Sequence, residues 1–237
     1  MTKARALWQL LRGQPRNVCH AESLQRFYAP QAPVYDAWRE GLLHGRRVLI
    51  EGLDVEPDDH VVELGGGTGR NLLFFEERLR GLRQVTLVDL CPALLDQARQ
   101  RFAACPNVQI VEADAAIWRP LEPVDSVFFS YSLTMMPDWR SALDNAYRML
   151  RAGGTLGVVD FYVSHRDPGV GRVRHSAIAR RLWPRWFGHQ GVVLNPQHLD
   201  YLCARVPKHA VSELRGPMPY LRFLRAPYYV FIGQKPK

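Results

Sequence analysis

The chain reads as an α/β protein: a mostly parallel sheet with one antiparallel strand at its C-terminus, extra helices at its N-terminus, and a basic insertion after the fifth strand. Three observations predict this. From about residue 60, short apolar runs alternate with longer amphipathic stretches, which implies a parallel sheet covered by helices on both faces. The first run, Val61-Val62-Glu63-Leu64, leads into a turn built almost wholly of glycine, Gly65-Gly66-Gly67-Thr68-Gly69. The second run ends in Asp89, and the third is followed by Asp114. Open sheets of this kind bind ligands at the carboxyl ends of their strands, where all three features fall.

Taken in order, residues 3–12 are compatible with a helix. Ala4, Leu7, Trp8 and Leu11 fall at i, i+3, i+4 and i+7, with Lys3, Arg5 and Arg12 off that stripe. Such a stripe is a packing face or, alternatively, the apolar side of an interfacial helix. After Pro30 and Pro33 the pattern predicts one helix from Val34 to about Glu51, with Val34, Trp38 and Leu42 on one side. Residues 1–58 thus form an N-terminal helical segment, and residues 59–237 form the core.

In the core, the glycine turn is followed by a helical stretch from Arg70 to Glu76. Then come a strand at 84–90, a helix at 92–104, and strands at 108–113 and 124–131. A helix over 139–150 is expected to stop at Gly153-Gly154, before a fifth strand at 155–161. Residues 162–191 break the rhythm, and Pro184 argues against one helix running through Trp183-Pro184-Arg185-Trp186. A helix at 196–205 precedes two runs, 210–214 and 228–233, that read as an antiparallel closing pair.

With 47% hydrophobic and 23% charged residues, the chain is ordinary globular material with enough length for a substantial core. No apolar run approaches the roughly 20 residues that span a bilayer. The four cysteines show no metal-ligand spacing, so free thiols in a cytoplasmic protein without metal are expected. The net charge of +8 is unevenly placed. Residues 1–20 carry Lys3, Arg5, Arg12 and Arg16 and no acid. Residues 161–191 carry six arginines against Asp167. Basicity therefore belongs to two segments outside the glycine-turn core, and it points to an acidic partner there.

The turn carries the chemistry. Glycine permits positive φ and lacks a Cβ, so a ligand can lie against its backbone. A dinucleotide fold would want G-x-G-x-x-G, but the third-glycine position holds Arg70. The pattern is instead Glu63-x-Gly65-x-Gly67-x-Gly69, which resembles the first motif of class I S-adenosylmethionine-dependent methyltransferases. A carboxylate at Asp89 can accept both ribose hydroxyls of a nucleoside lying across the strand ends. Taken singly, Asp89 and Asp114 also read as helix caps. The resemblance implies S-adenosylmethionine as cofactor, bound by Glu63, Gly65, Gly67 and Gly69 of the motif and by Asp89, with Asp114 accepting from the adenine amino group and further contacts at Leu90, Ala115 and Ser130.

The acceptor is addressed by other segments. The stretch after the fourth strand, Ser130-Tyr131-Ser132-Leu133-Thr134, lacks the Asn/Asp-Pro-Pro-aromatic motif of nucleobase amino-methyltransferases, which makes nucleic acid the weaker partner. Phe27–Arg39, Leu43–Arg46, Trp186–Val192, His198–Leu202 and Tyr220–Gly233 resemble the bacterial betaine-lipid N-methyltransferases in their stand-alone form. That resemblance implies three methyl transfers to diacylglyceryl homoserine. Another amphiphile, such as phosphatidylethanolamine or a quinone precursor, is the alternative.

Tyr28, Tyr35 and Tyr131 are candidates to line a quaternary ammonium headgroup, since a ring quadrupole attracts such a cation. They equally read as core aromatics. Arg39 and Arg46 are candidates for a carboxylate of cofactor or substrate, or plain helix-surface arginines. His189 could take the amine proton, or stand as a surface histidine in a turn. Trp8, Trp183 and Trp186 within the basic segments lead to the expectation of peripheral binding to an anionic membrane surface at the inner face.

Overall fold

The computed structural model describes residues 18–32, 35–219 and 221–237, without the side chains of residues 37, 38 and 222. The expected stripe at residues 4–11 lies outside the described residues. A seven-stranded sheet in the order β3-β2-β1-β4-β5-β7-β6 organises the chain. Its strands are β1 (His60–Leu64), β2 (Gln84–Asp89), β3 (Val108–Glu112), β4 (Val124–Ser130), β5 (Leu150–Phe161), β6 (Lys208–Met218) and β7 (Leu221–Gln234). Strands β1 to β5 pair in parallel, and β7 runs antiparallel to both β5 and β6. This is the expected architecture, with a closing pair longer than the apolar pattern alone marks.

Alternation along the strands builds two cores. Val61 and Val85 point to one face, where they meet Leu49 and Ile50 of α3 (Arg46–Gly52), Leu95 of α4 (Pro92–Arg101) and Phe187 of α6 (Ala177–Gly188). Val62, Leu64 and Val88 point to the other, against Leu143 and Ala146 of α5 (Trp139–Met149) and Leu202 of α7 (Gln197–Arg205). Each fully buried Leu, Val or Phe contributes about 1.5–3 kcal/mol, so both layers are needed to hold the strand ends in place.

Four local expectations are corrected. The single helix over 34–51 is two: α2 (Tyr35–Arg39) and α3, separated by a turn at Gly45. Gly45 has φ +76° and lies so close to Tyr228 that a Cβ would meet the ring at 2.7 Å, so the helix cannot run through it. The stretch after the glycine turn is a 3₁₀ segment, Arg70–Gly81, interrupted at Glu76 by non-helical angles (φ 54°, ψ −129°). Strand β5 begins at Leu150, before Gly153-Gly154, with a register shift between Val124 and Ser126. Pro184 lies inside α6 after all. The helix forgoes one backbone bond there, and burial of Trp183 and Phe187 on one of its sides offsets the loss.

At the N-terminal side, α1 (His20–Tyr28) packs Leu24, Phe27 and Tyr28 against Cys91 and Leu94 at the start of α4. This contact carries the N-terminal segment across the carboxyl ends of β1 and β2.

Candidate active site

A cleft of about 330 Å³ opens at the carboxyl ends of the strands, between the glycine turn and the N-terminal helices. Its wall on the sheet side is the turn itself. Gly67 has φ +54°, and a Cβ there would meet no protein atom closer than 3.5 Å, so the space it would fill belongs to the cleft. Gly65 (φ +74°) and Gly69 (φ +70°) are required for a different reason. A Cβ on Gly65 would lie 2.4 Å from that of Ser132, and one on Gly69 would lie 2.6 Å from the Phe102 ring. Gly65 and Gly67 line the cleft; Gly69 does not, and its role is packing behind the turn.

Asp89 lies at the centre of this wall. Its Oδ2 accepts from the Gly67 N–H at 2.8 Å and its Oδ1 from the Cys91 N–H at 2.8 Å. Burial raises its pKa while these backbone donors pull it back. The carboxylate is thereby aimed across the mouth of the turn, with further lone pairs for a pair of hydroxyls. Leu90 lines the cleft beside it. Asp114 and Ala115 line the next corner; Asp114 Oδ1 accepts from the Ala116 N–H at 2.8 Å. The helix-cap reading does not hold for Asp114, since a turn and not a helix follows it; one oxygen serves that turn and the side chain faces the cleft.

Ser130, at the end of β4, lines the cleft with a buried hydroxyl that has no hydrogen-bond partner among the described residues. A buried polar group without a partner costs about 1–3 kcal/mol, so a ligand donor or acceptor at this point fits. The open Gly67 cradle, the aimed Asp89 and the Ser130 hydroxyl together suit a nucleoside with a polar tail, as S-adenosylmethionine is.

Glu63 departs from expectation. It is fully buried behind the turn, where a Cβ on Gly66 would come within 3.0 Å of its carboxyl carbon, and it does not line the cleft. Burial pushes its pKa up to about 8, against a 2.6 Å hydrogen bond from the Asn71 amide. Asn71 and Arg46 do line the cleft, and the Arg46 guanidinium reaches the Asn71 Oδ1 at 3.5 Å and Glu40 at 3.2 Å. Glu63 therefore acts on the cleft through Asn71 and Arg46, as a positioning group.

The acceptor side is aromatic. Tyr28 and Tyr35 meet edge to face with ring centroids 5.5 Å apart, and the Arg39 guanidinium carbon lies 5.0 Å from the Tyr35 centroid. All three line the cleft. Tyr131 joins them from the end of β4, held at φ 54°, a conformation that non-glycine residues rarely adopt. Its hydroxyl donates to the His44 carbonyl at 2.6 Å, so the phenol is committed to structure and the ring face is what it offers. His189 is not brought to the site. It caps the C-terminal end of α6, exposed and outside the cleft lining.

Four further residues carry no role in the sequence reading. Thr68 donates to Asp36 Oδ1 at 2.6 Å, and Arg101 bonds both Asp36 and the Thr68 carbonyl. This latch ties α2 to the glycine turn. Asp36 lies within the acceptor-side resemblance and Thr68 within the glycine motif, so their placement was a signal. Asp160 is buried under the loop at 132–136, accepting from the Thr134 N–H at 3.0 Å and its hydroxyl at 2.8 Å. Burial raises it to about 7. Nothing in its strand sequence distinguishes it from an ordinary strand-end acid.

The geometry agrees with comparisons to known proteins. Residues 61–154 match the family described as methyltransferase domain. Trans-aconitate 2-methyltransferase from Escherichia coli (strain K12 / DH10B) is 31% identical over 110 residues, covering 46% of this chain and 42% of that protein. The chain thus matches less than half the length of such curated relatives. Among solved structures, the N-methyltransferase NodS from Bradyrhizobium japonicum WM9, in complex with S-adenosyl-L-homocysteine, has a TM-score of 0.62 at 18% identity. That alignment covers 92% of this chain and 99% of that one. Phosphoethanolamine N-methyltransferase 2 from Haemonchus contortus, with S-adenosyl-L-methionine bound, has a TM-score of 0.69 at 14% identity, over 93% of this chain and 60% of that one. Residues 61–154 match a methyltransferase domain, and the chain has the fold of the class I S-adenosylmethionine-dependent methyltransferases.

Proposed function

We propose that the protein is an N-methyltransferase acting on the amine of an amphiphile, and that diacylglyceryl homoserine, methylated three times, is the acceptor. The observation that supports this best is the wall formed by Tyr28, Tyr35 and Tyr131 in the same cleft as the glycine turn. Ring faces favour a headgroup that gains a methyl with each round and is permanently cationic after the third. Arg39 and Arg46 on the same wall suit the homoserine carboxylate or the carboxylate of the cofactor.

The cofactor, when bound, supplies an electrophilic methyl on a sulfonium. The chain's own residues hold the reactants in line and exclude water. Residues of the glycine turn with Asp89 and Ser130 would hold the cofactor, and the acceptor amine, having given its proton to water, would take that methyl through its lone pair in exchange for the bond to sulfur. The product of the third round carries no N–H and cannot react again.

The test is incubation with labelled S-adenosylmethionine and the homoserine lipid dispersed in detergent, read by mass spectrometry. The expected products gain one, two and three methyl groups in place of hydrogen. Gain on phosphatidylethanolamine or a quinone precursor alone would reassign the acceptor. A second reading is carboxyl O-methylation, suggested by relatives named for trans-aconitate and by the two cleft arginines. Its product is an ester that mild base hydrolyses, whereas a methylated amine survives.

A further inference from the structure

Methyl transfer leaves the outer side of α6 unused. Trp183 and Phe187 bury one side of this helix in the core. Ile178, Leu182 and Trp186, again four residues apart, lie on another side and are 76%, 38% and 40% exposed. At about 100° per residue, Arg181 and Arg185 fall beside that exposed stripe, away from the buried side. Around the start of α6, Arg166, Arg174, Arg180, Arg181 and Arg215 line a shallow groove, and among the described residues no carboxylate lines it. Among the described residues, the ion pair these arginines make is Arg174 with Asp167 at 3.4 Å, both side chains well exposed.

The two features select one partner. The arginine groove calls for an anionic surface, and the apolar stripe beside it calls for a surface with a hydrocarbon interior within reach. An acidic peptide or a nucleic acid offers the first without the second. The face is also joined to the cleft. Rings of Trp183, Phe187, Phe161 and Tyr131 touch in sequence, with centroids 5.8, 4.5 and 4.5 Å apart, the first two pairs stacked and the last tilted. Beyond α6, the Val193 N–H donates to the Thr134 carbonyl at 2.8 Å, on the loop that lines the cleft.

We propose that the outer face of α6, with the arginine groove at its start, is a docking surface for an anionic lipid bilayer. Trp186 sits at headgroup depth, Ile178 and Leu182 enter shallowly, and the arginines meet anionic headgroups. This deepens the amphiphile reading and draws its purpose from it, while vesicle binding can be measured without any turnover.

The experiment is co-sedimentation of the full chain with phosphatidylglycerol-containing vesicles and with pure phosphatidylcholine vesicles, at low and high salt. The expected result is preference for the anionic vesicles and release by salt. R180E/R181E should weaken binding roughly tenfold or more, since two favourable charges become repulsive. I178S/L182S should weaken it several-fold at unchanged charge. Cofactor affinity and circular dichroism should be unchanged in both. Equal binding to the two vesicle types, or wild-type binding by both variants, overturns the proposal. So does a dimer in sedimentation velocity that I178S/L182S dissolves, or oligonucleotide binding without vesicle preference. Methylation of detergent-dispersed lipid by a protein that ignores vesicles would overturn the docking surface alone and leave the acceptor standing. Docking without methylation of the lipid would do the reverse.

Discussion

Along the ends of β1 and β2 the cleft wall is largely backbone: Gly65, Gly66 and Gly67 bring main-chain atoms to the surface, and Asp89 is held by two backbone N–H groups. On the facing side the wall is made of side chains, with Tyr28, Tyr35, Arg39 and Arg46 delivered by three separate short helices. The first wall needs only two neighbouring parallel strands and the turn that follows the first of them. The second needs α1 seated on α4, α2 latched to Thr68 through Asp36, and α3 turned by Gly45 against Tyr228. A wall of backbone recognises what every member of a fold class shares, whereas a wall of side chains can be changed for each acceptor without disturbing the sheet.

That contrast predicts that damage to one wall leaves the other's ligand intact. The largest effect is expected from Gly67→Val. Its side chain would enter the cleft from a backbone at φ +54°, so cofactor binding should fall below detection by calorimetry while circular dichroism keeps the native signature. Retained affinity in folded G67V would mean that the ligand does not approach this backbone.

Asp89→Ala is next. Loss of a carboxylate that serves two hydroxyls should cost about 2–3 kcal/mol, roughly 30- to 150-fold in cofactor affinity. An unchanged dissociation constant would remove Asp89 from the cofactor side.

On the acceptor side, Tyr35→Leu should leave cofactor affinity within experimental error. It should slow the last methyl transfer most, because the most cationic headgroup loses a ring worth about 0.5–2 kcal/mol. The measurement is the ratio of dimethylated to trimethylated lipid at equal turnover. A uniform slowing of all three steps would assign the ring to packing.

The smallest effect on binding, and a clear one on stability, belongs to the buried acid beneath the 132–136 loop that lines the cleft. Burial raises Asp160 to about 7 and Glu63 to about 8, against about 4 in an unfolded chain. Between those values the folded protein keeps protons that the unfolded chain has lost, so stability falls as pH rises from about 4 toward 8. Asp160→Asn keeps an acceptor for Thr134 but cannot titrate. Its urea midpoint should therefore change less across that window than the wild type's. Parallel pH profiles for the two proteins would show that Asp160 holds no proton in the fold.

The two walls also differ in how far they could be read in advance. Gly65, Gly67, Asp89 and Asp114 were found from spacing, since a turn after a strand brings its own residues to the strand end whatever else the chain does. The same reasoning placed Glu63 in the cleft, and it failed because the side chain of a strand residue points to one face or the other. Here it points under the turn, into Asn71. His189 failed for a related reason: a residue's position along α6 says nothing about which end of the sheet that helix covers.

Sequence alone determined the alternating core, the glycine turn, the acids at the strand ends and the location of the positive charge. Each of these depends on residues within a few positions of one another, or on a count. Tertiary structure decided that 34–51 breaks at Gly45, that α6 runs through Pro184, that Tyr131 spends its hydroxyl on His44, and that Asp160 supports the cleft floor. Those outcomes depend on burial and contact between segments far apart in the chain. Packing energy of several kcal/mol there outweighs local preferences of about one.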